Sequence, residues 1–390
     1  VEIGLEVFLA KAYKKYRGMR LGVLCNQASL DSKLRHISET ILDKKLGLKI
    51  GCFLGPQHGI RGEKQDNMVE SPDFTDPRSK LPVFSLYAST REPTDRMLEH
   101  LDAFVVDLQD IGTRIYTFMY TMANCMIAAK RTGKKVIVLD RPNPIGGELI
   151  EGNVLEKEYA SFVGQYPMCA RHGMTIGEIA GYFNQEFGIG CDLEVVKIQG
   201  WKRSQYADQW KRDWVPPSPN IPCLGSALTF PGSVLFEGTN ISEARGTTRP
   251  FEWIGAPFIN ADTLASAMQA KKLPGVYFRP IYFQPTYQKC KDEICGGVQI
   301  HITDRAKFNA FKAGIHLLDT IVNMYPKQFA WKQPPYEYEH VRMPIDLIAG
   351  TERLRGEIES GRGLKNFEEA AAKELAAFRR IRSRYLLYRG

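Results

Sequence analysis

Through the N-terminal part of the chain, short apolar runs alternate with amphipathic stretches. MRLGVLCNQ, LKIGCFLG, LPVFSLY, DAFVVDLQD and KKVIVLDRP have the continuous apolar character of strands covered on both faces. Between them, DSKLRHISETILDKKLG predicts a helix with Asp31 near its cap and TDRMLEHL a short helix capped by Thr94. YTFMYTMANCMIAAKRTG predicts a helix closed by Gly133, and the first residues, VEIGLEVFLAKAYKKYRG, an amphipathic helix. Strand and helix repeating in this order predict an α/β protein with a Rossmann-like parallel-sheet N-terminal domain, helices lying on both faces.

The pattern changes at RPNPIGGELIEGNVLEKEYASFVGQYP, rich in Pro and Gly and without a sustained period, which reads as a long functional connection. A boundary is placed near Gly147, giving a Rossmann-like domain over residues 1–147 and a second, smaller α/β domain with long active-site loops over residues 148–390. In the second part TIGEIAGYFNQEFG predicts a helix opened by a Thr175 and Glu178 capping box, and CDLEVVKIQGW a strand. Residues 214–258 are too rich in Pro and Gly for regular structure, and so long a loop in a compact protein marks a site. Beyond them helices alternate with the strands GVYFRPIYFQPTY and GGVQIHI, and a charged helix from Asn366 to Tyr388 ends the chain.

Composition adds bounds rather than direction. With 390 residues, 44% hydrophobic and 25% charged, the chain can build about two domains with proper cores and is not a disordered polymer. The net charge of +8 is spread among acids with no aromatic-interleaved basic stripe, so it reads as solvated surface rather than a nucleic-acid face, although it would draw in an anionic substrate. The eight cysteines are scattered, mostly in apolar surroundings such as IGCFL and ANCMI, and read as buried reduced thiols. Cys290 and Cys295 lack the spacing of a zinc knuckle, so no metal is expected there. No run approaches a membrane span, and the first residues do not have the form of a signal peptide, so a cytoplasmic location is expected.

Three clusters hold more acids, arginines, amides and glycines than folding needs: GPQHGIRGEKQDNMVES (55–71), DLQDIGTRIYTF (107–118) and EGTNISEARGTTRPF (237–251). The first two follow strands, so their polar residues leave the carboxyl edge of the parallel sheet, where open α/β folds bind ligands. Asp107 lies inside an apolar strand and Asp140 at the end of one, so each needs a cation such as Arg114 or Arg141. His58 and His172, each beside a glycine in a turn, suit acid/base work, hydroxyl recognition or a plain bond to backbone. In the third cluster Glu237, Glu243, Arg245 and Arg249 are separated by small residues, which suits arginine forks on a carboxylate; a satisfied turn network is the alternative. The turn after the first strand, CNQASLD, has no G-x-G-x-x-G, and no Walker A, H-E-x-x-H, G-x-S-x-G or C-x-x-C sequence occurs. A protein working without a cofactor is expected.

Together with LPVFSLY, VLDRPNPIGG, EGNVL, FVGQYP, RHGMTIGE, PPSPNIP, PGSVLFEGTNISEARGTTRPFE, GAPF, FRP and the closing YLLY, these clusters resemble the NamZ exo-β-N-acetylmuramidases of glycoside hydrolase family 171. The resemblance runs in order over essentially the whole chain. It implies an active site in a cleft between a Rossmann-like domain and a smaller α/β domain. It also implies removal of non-reducing-end N-acetylmuramic acid from peptidoglycan fragments, as in cell-wall recycling, with a muramic-acid-containing saccharide as partner.

Glycoside cleavage normally needs two carboxyl groups. Among Glu63, Asp66, Glu70, Asp107, Asp110, Glu237 and Glu243, the expected acid/base pair is Glu243 and Glu237, with Asp110 behind them. Arg114, Arg245 and Arg249 are expected on the anionic sugar, His58 and Asn240 on hydroxyls, and Gln57, Arg61, Asp107, Tyr116, Arg141 and His172 elsewhere around the substrate. Two departures from the family pattern stand out: Gln57 where G-P-E-H-G is common, and Ala244 where S-E-G-R-G is usual. The first leaves open a non-catalytic binder of cell-wall saccharides, a glycosidase acting on another anionic amino sugar, or an enzyme reliant on another acid or on the substrate's own N-acetyl group.

Overall fold

A computed structural model describes residues 1–66 and 69–389. Its first sheet uses β1 (Arg20–Cys25), β2 (Lys49–Gly55), β3 (Phe74–Thr75), β4 (Pro82–Ser85), β5 (Ala103–Asp107) and β6 (Lys135–Leu139). A small antiparallel pair follows, β7 (Glu151–Val154) with β8 (Cys169–Arg171), and then β9 (Asp192–Val196). The first sheet has seven strands in the order β3-β4-β2-β1-β5-β6-β9, parallel throughout except for the short β3. Strand order reverses direction between β1 and β5, so the crevice beyond their carboxyl ends is the topological switch point.

Period-two alternation decides what each strand buries. Val23, Val105, Ile137 and Leu139 pack with Leu5 and Phe8 of the first helix (Gly4–Ala10), while Leu24, Phe104, Val106, Val136 and Val138 join the core of the helix Phe118–Thr132. That second helix is nearly all buried and ends at Gly133 with φ +67°, whose N–H caps the Ala129 carbonyl. The helix Ile176–Glu186 opens with the Thr175 and Glu178 capping box read from the sequence.

Three elements differ from expectation. Residues 31–47 form only the short helix Ile37–Thr40 and a 3-10 turn, because the Asp31 carboxylate accepts from the N–H groups of Lys33 and Arg35 and folds the chain into a tight turn. Residues 214–258 contain the helix Leu224–Ser233, in which the small residues permit close packing; beyond Pro231 the chain passes into the 3-10 turn Val234–Gly238. Finally, β9 pairs with β6, so the first sheet continues past residue 147, where the boundary was expected.

The remaining chain builds a three-stranded antiparallel sheet, β10 (Trp253–Ala256), β12 (Cys295–Ile302) and β11 (Val276–Phe283), with β12 central. The helices Leu224–Ser233 and Ala310–Met324 cross with Gly232 against Gly314, and a Cβ on Gly232 would overlap the Ala310 carbonyl. The last helix, Lys365–Arg382, runs along β7 and returns the chain to the first sheet. There the Arg382 guanidinium donates to the carbonyls of Gly147 and Gly173, and the Tyr388 hydroxyl donates to Asp140. Among the described residues no helix is long and apolar enough to cross a membrane.

Because backbone, not a flexible side chain, meets the added methyl, Gly232→Ala should lower the unfolding free energy by about 1–3 kcal/mol. A urea melt checks this; an unchanged midpoint would mean that the two helices are not in close contact.

Candidate active site

β2 delivers the first residues of the site. Its last residue, Gly55, is followed by a turn in which His58 and Gly59 both adopt positive φ, +70° and +80°. The Thr117 hydroxyl donates to Gln57 Oε1 at 2.7 Å, which orients the amide so that Nε2 donates to Tyr87 Oη at 3.1 Å and to Glu337 Oε1 at 3.2 Å. The buried Tyr87 hydroxyl donates to the other Glu337 oxygen at 2.6 Å. The Arg91 guanidinium lies 4.2 Å from the ring centroids of both Tyr87 and Tyr338, clamping the turn that carries Glu337. Glu337 and Tyr338 themselves hold positive φ, +46° and +68°, a conformation that only surrounding contacts can maintain in non-glycine residues.

The 237–251 loop supplies the second half. Arg245 lies between two buried carboxylates, donating through Nη2 to Glu237 and through Nε to Glu243 at 3.1 Å. Glu237 also accepts from the Tyr336 hydroxyl at 2.7 Å, and the second Glu243 oxygen meets Lys289 Nζ at 2.5 Å. Lys289 is in turn fixed by the carbonyls of Phe236 and Ile241 at 2.7 and 2.6 Å. Ala244, buried between the two charged residues, sits at φ +60°, so the position where the family pattern has glycine does adopt a left-handed turn.

These groups surround two cavities. An inner one of ≈ 40 Å³ is lined by Gln57, His58, Tyr116, Glu237, Arg245 and Glu337 among others. An outer one of ≈ 450 Å³ shares Glu237, Arg245 and Tyr336 and adds Asp66, Asn240, Glu243, Gln288, Lys289 and Lys332.

Electrostatics separates the carboxyl groups. Burial would raise Glu237, but the Arg245 charge, with hydrogen bonds from Tyr336 and Arg245, outweighs it and holds this carboxyl below the ordinary range. Glu337 goes the other way: burial, reinforced by the negative charge of Glu237, pushes it up despite its bonds from Tyr87 and Gln57. His58 Nδ1 faces the Lys64 carbonyl at 2.7 Å, so the proton sits on Nδ1 and Nε2 is left as an acceptor. Burial, with the Arg245 charge adding to it, pushes His58 down to about 4.

Several residues expected at the substrate lie elsewhere. Arg114 is fully buried and spends its guanidinium on the carbonyls of Asn153, Met168, Ile348 and Ala349, so it ties segments together rather than binding an anion. Asp107 and Arg141 form a buried bidentate pair, Nε to Oδ1 at 2.5 Å and Nη2 to Oδ2 at 2.9 Å. Arg141 instead borders a separate cavity of ≈ 430 Å³ with Trp210 and Trp214, at the switch point. Asp110 lines neither site cavity: it accepts from the Gly112 N–H at 2.6 Å and lies 3.3 Å from His172 Nε2. Since His172 Nδ1 accepts from the Met174 N–H, its proton is on Nε2, facing Asp110.

Asn240 borders the outer cavity, but its amide is engaged by the Gln328 carbonyl and the Ala330 N–H. Arg249 is half exposed, 3.5 Å from Glu252, and Arg61 is exposed over the Phe74 ring. With both oxygens engaged by cations, Glu243 holds Arg245 and Lys289 in place and does not suit its expected place in the acid/base pair.

The sequence reading missed Glu337, Tyr336, Tyr87, Lys289 and Lys332. The signal available was PPYEYEH, aromatics alternating with acids after a proline pair, far in sequence from the other clusters and outside any periodic element. Its contribution exists only once the chain brings it beside Gln57.

The depressed His58 predicts a pH dependence. The unfolded imidazole takes up a proton near 6.5 and the folded one only near 4, so stability is full above pH 6.5 and falls as pH drops through this window. The loss is of order 3 kcal/mol when complete. Unfolding free energies from pH 7 to 4 for the natural protein and His58→Gln should diverge at the high end and converge at the low end; parallel curves would mean that His58 is not buried neutral.

Comparison with known proteins agrees with this architecture. The family models "Exo-beta-N-acetylmuramidase NamZ, N-terminal" and "Exo-beta-N-acetylmuramidase NamZ, C-terminal" match residues 21–225 and 228–388. The peptidoglycan β-N-acetylmuramidase NamZ of Bacillus subtilis (strain 168) is 43% identical over 388 residues, covering 100% of this chain and 91% of that protein. A crystal structure of a DUF1343 family protein from Bacteroides fragilis NCTC 9343 superposes with a TM-score of 0.89 at 35% identity, covering 100% of this chain and 99% of that one. A second DUF1343 family protein from the same organism superposes with a TM-score of 0.75 at 26% identity, with the same coverage. With both family models matched in order and nearly every residue covered, the chain belongs to the NamZ exo-β-N-acetylmuramidase family.

Proposed function

We propose that this protein is an exo-acting glycoside hydrolase that releases non-reducing-end N-acetylmuramic acid from peptidoglycan fragments. Kinship with a peptidoglycan β-N-acetylmuramidase supports the reaction class. The observation that carries the mechanism is that one cavity is lined by two buried carboxyl groups displaced in opposite directions, Glu337 up and Glu237 down. Paired carboxyls with separated proton affinities are what acid/base division of labour requires.

In this reading Glu337 is the general acid. Burial keeps its proton at a pH where an exposed carboxyl has lost it, and cleavage transfers that proton to the departing glycosidic oxygen. Glu237, kept ionised by Arg245, faces the developing positive charge at the anomeric carbon as base or nucleophile. Tyr336 orients Glu237, Glu243 orients Arg245, and the neutral His58 presents an acceptor to a sugar hydroxyl. Gln57 does not abolish the chemistry, because the carboxyl that works sits 3.2 Å away on a different segment. This favours an enzyme over a non-catalytic binder.

The roles predict different responses to the leaving group. Glu337→Gln should cost about 10²–10⁴-fold in kcat on a disaccharide, whose leaving alkoxide needs a proton, and much less on a 4-nitrophenyl muramide. Glu237→Gln should depress both. In the natural protein, activity should fall as pH rises through the elevated Glu337 and fall again at low pH as Glu237 takes up a proton. Equal losses on both substrates in Glu337→Gln would exclude it as the acid.

A further inference from the structure

We infer that Lys332 is the residue that selects the carboxylate of the muramic acid, an assignment whose choice of ligand rests on the muramidase reading above. Muramic acid differs from glucosamine by a lactyl ether that is anionic at neutral pH, so a site that distinguishes them needs a cation not already spent. Arg245 is consumed by Glu237 and Glu243, and Lys289 by Glu243 and backbone carbonyls. Arg249 faces solvent beside Glu252. Lys332 borders the outer cavity and, among the described residues, forms an ion pair with no carboxylate.

Its placement is built. The Lys332 N–H donates to the Gly238 carbonyl at 2.9 Å, which ties its backbone to the turn carrying Glu237. The ammonium lies 5.3 Å from the centroid of the Tyr336 ring, whose hydroxyl donates to Glu237 at 2.7 Å. One aromatic side chain therefore sets the spacing between the proposed anion-binding group and the proposed base. The ring face also replaces part of the ammonium's water, which strengthens its attraction for an incoming carboxylate. Asp66 borders the same cavity, and its carboxylate is engaged by Gln288.

The test is calorimetric binding of N-acetylmuramic acid and of its lactyl methyl ester to the natural protein, Lys332→Met and Lys332→Arg, with turnover of a 4-nitrophenyl muramide measured alongside. The natural protein should prefer the acid. Lys332→Met should weaken acid binding about tenfold or more and bring the acid-to-ester ratio near one, since the lost contact is a charge-assisted hydrogen bond. Lys332→Arg should keep most of the preference, showing that charge and not packing is at issue. An unchanged ratio in Lys332→Met, or a natural protein indifferent between acid and ester, would overturn the assignment. Acid selectivity that depends on Lys332 in a protein that fails to cleave the muramide would instead leave the assignment standing and defeat the muramidase reading.

Discussion

The site depends on one buried guanidinium. Arg245 pairs with Glu237 and Glu243 together, and an unpaired charge at that depth is costly. From Arg245 the contacts run outward in two directions: through Glu243 to Lys289 and the backbone of the 236–241 turn, and through Glu237 to Tyr336. Removing the arginine would leave Glu237 without its cation while Glu243 kept Lys289, and breaking a buried pair in this way costs about 3–5 kcal/mol. The loop is thus held by charge neutrality as well as by the burial of Ile241, Ala244 and Phe251.

The second strand of the network joins the two parts of the chain. Tyr336 binds Glu237 of the C-terminal part, and its neighbour Glu337 accepts from Tyr87 and Gln57, which lie beyond the ends of β4 and β2 in the first sheet. Thr117, just before the helix Phe118–Thr132, completes the link by orienting Gln57. A parallel sheet offers its strand ends as a rigid edge, and here that edge positions the Glu337 carboxyl without supplying it. Precision at the site therefore comes from the scaffold, while the ionisable groups come from loops, the division expected where function is carried on connections between regular elements.

Much of the fold was legible because it rests on local periodicity. The apolar runs MRLGVLCNQ, DAFVVDLQD and KKVIVLDRP became adjacent parallel strands, and Gly133 closed its helix as read. The helix expected at residues 31–47 failed because Asp31 bonds two N–H groups just beyond it, a competition between side chain and backbone that apolar spacing does not reveal. In the site, the grouping of Glu237, Glu243 and Arg245 was visible because all three lie in one loop. Arg114 shows the opposite case: its neighbourhood in DLQDIGTRIYTF looked like ligand recognition, yet its hydrogen bonds go to carbonyls as far away as Ala349. Whether a buried arginine meets a ligand or a backbone is decided by tertiary contacts alone.

The amide at position 57 follows from the same electrostatics. Gln57 simultaneously accepts from Thr117 and donates to Tyr87 and Glu337, which an ionised carboxylate cannot do because it has no hydrogen to donate. A glutamate there would add a third carboxyl to a cavity already lined by Glu237 and Glu337, with Arg245 as its one cation among the described residues. Carboxyls about 3 Å apart cannot both ionise, so a glutamate at 57 would share a proton with Glu337 and the pair would titrate as one unit. With glutamine at 57 no such sharing arises. On the proposed mechanism, the substitution that seems to remove an acid from the motif leaves the acid role with Glu337, whose carboxyl is pushed up by burial and by the charge on Glu237.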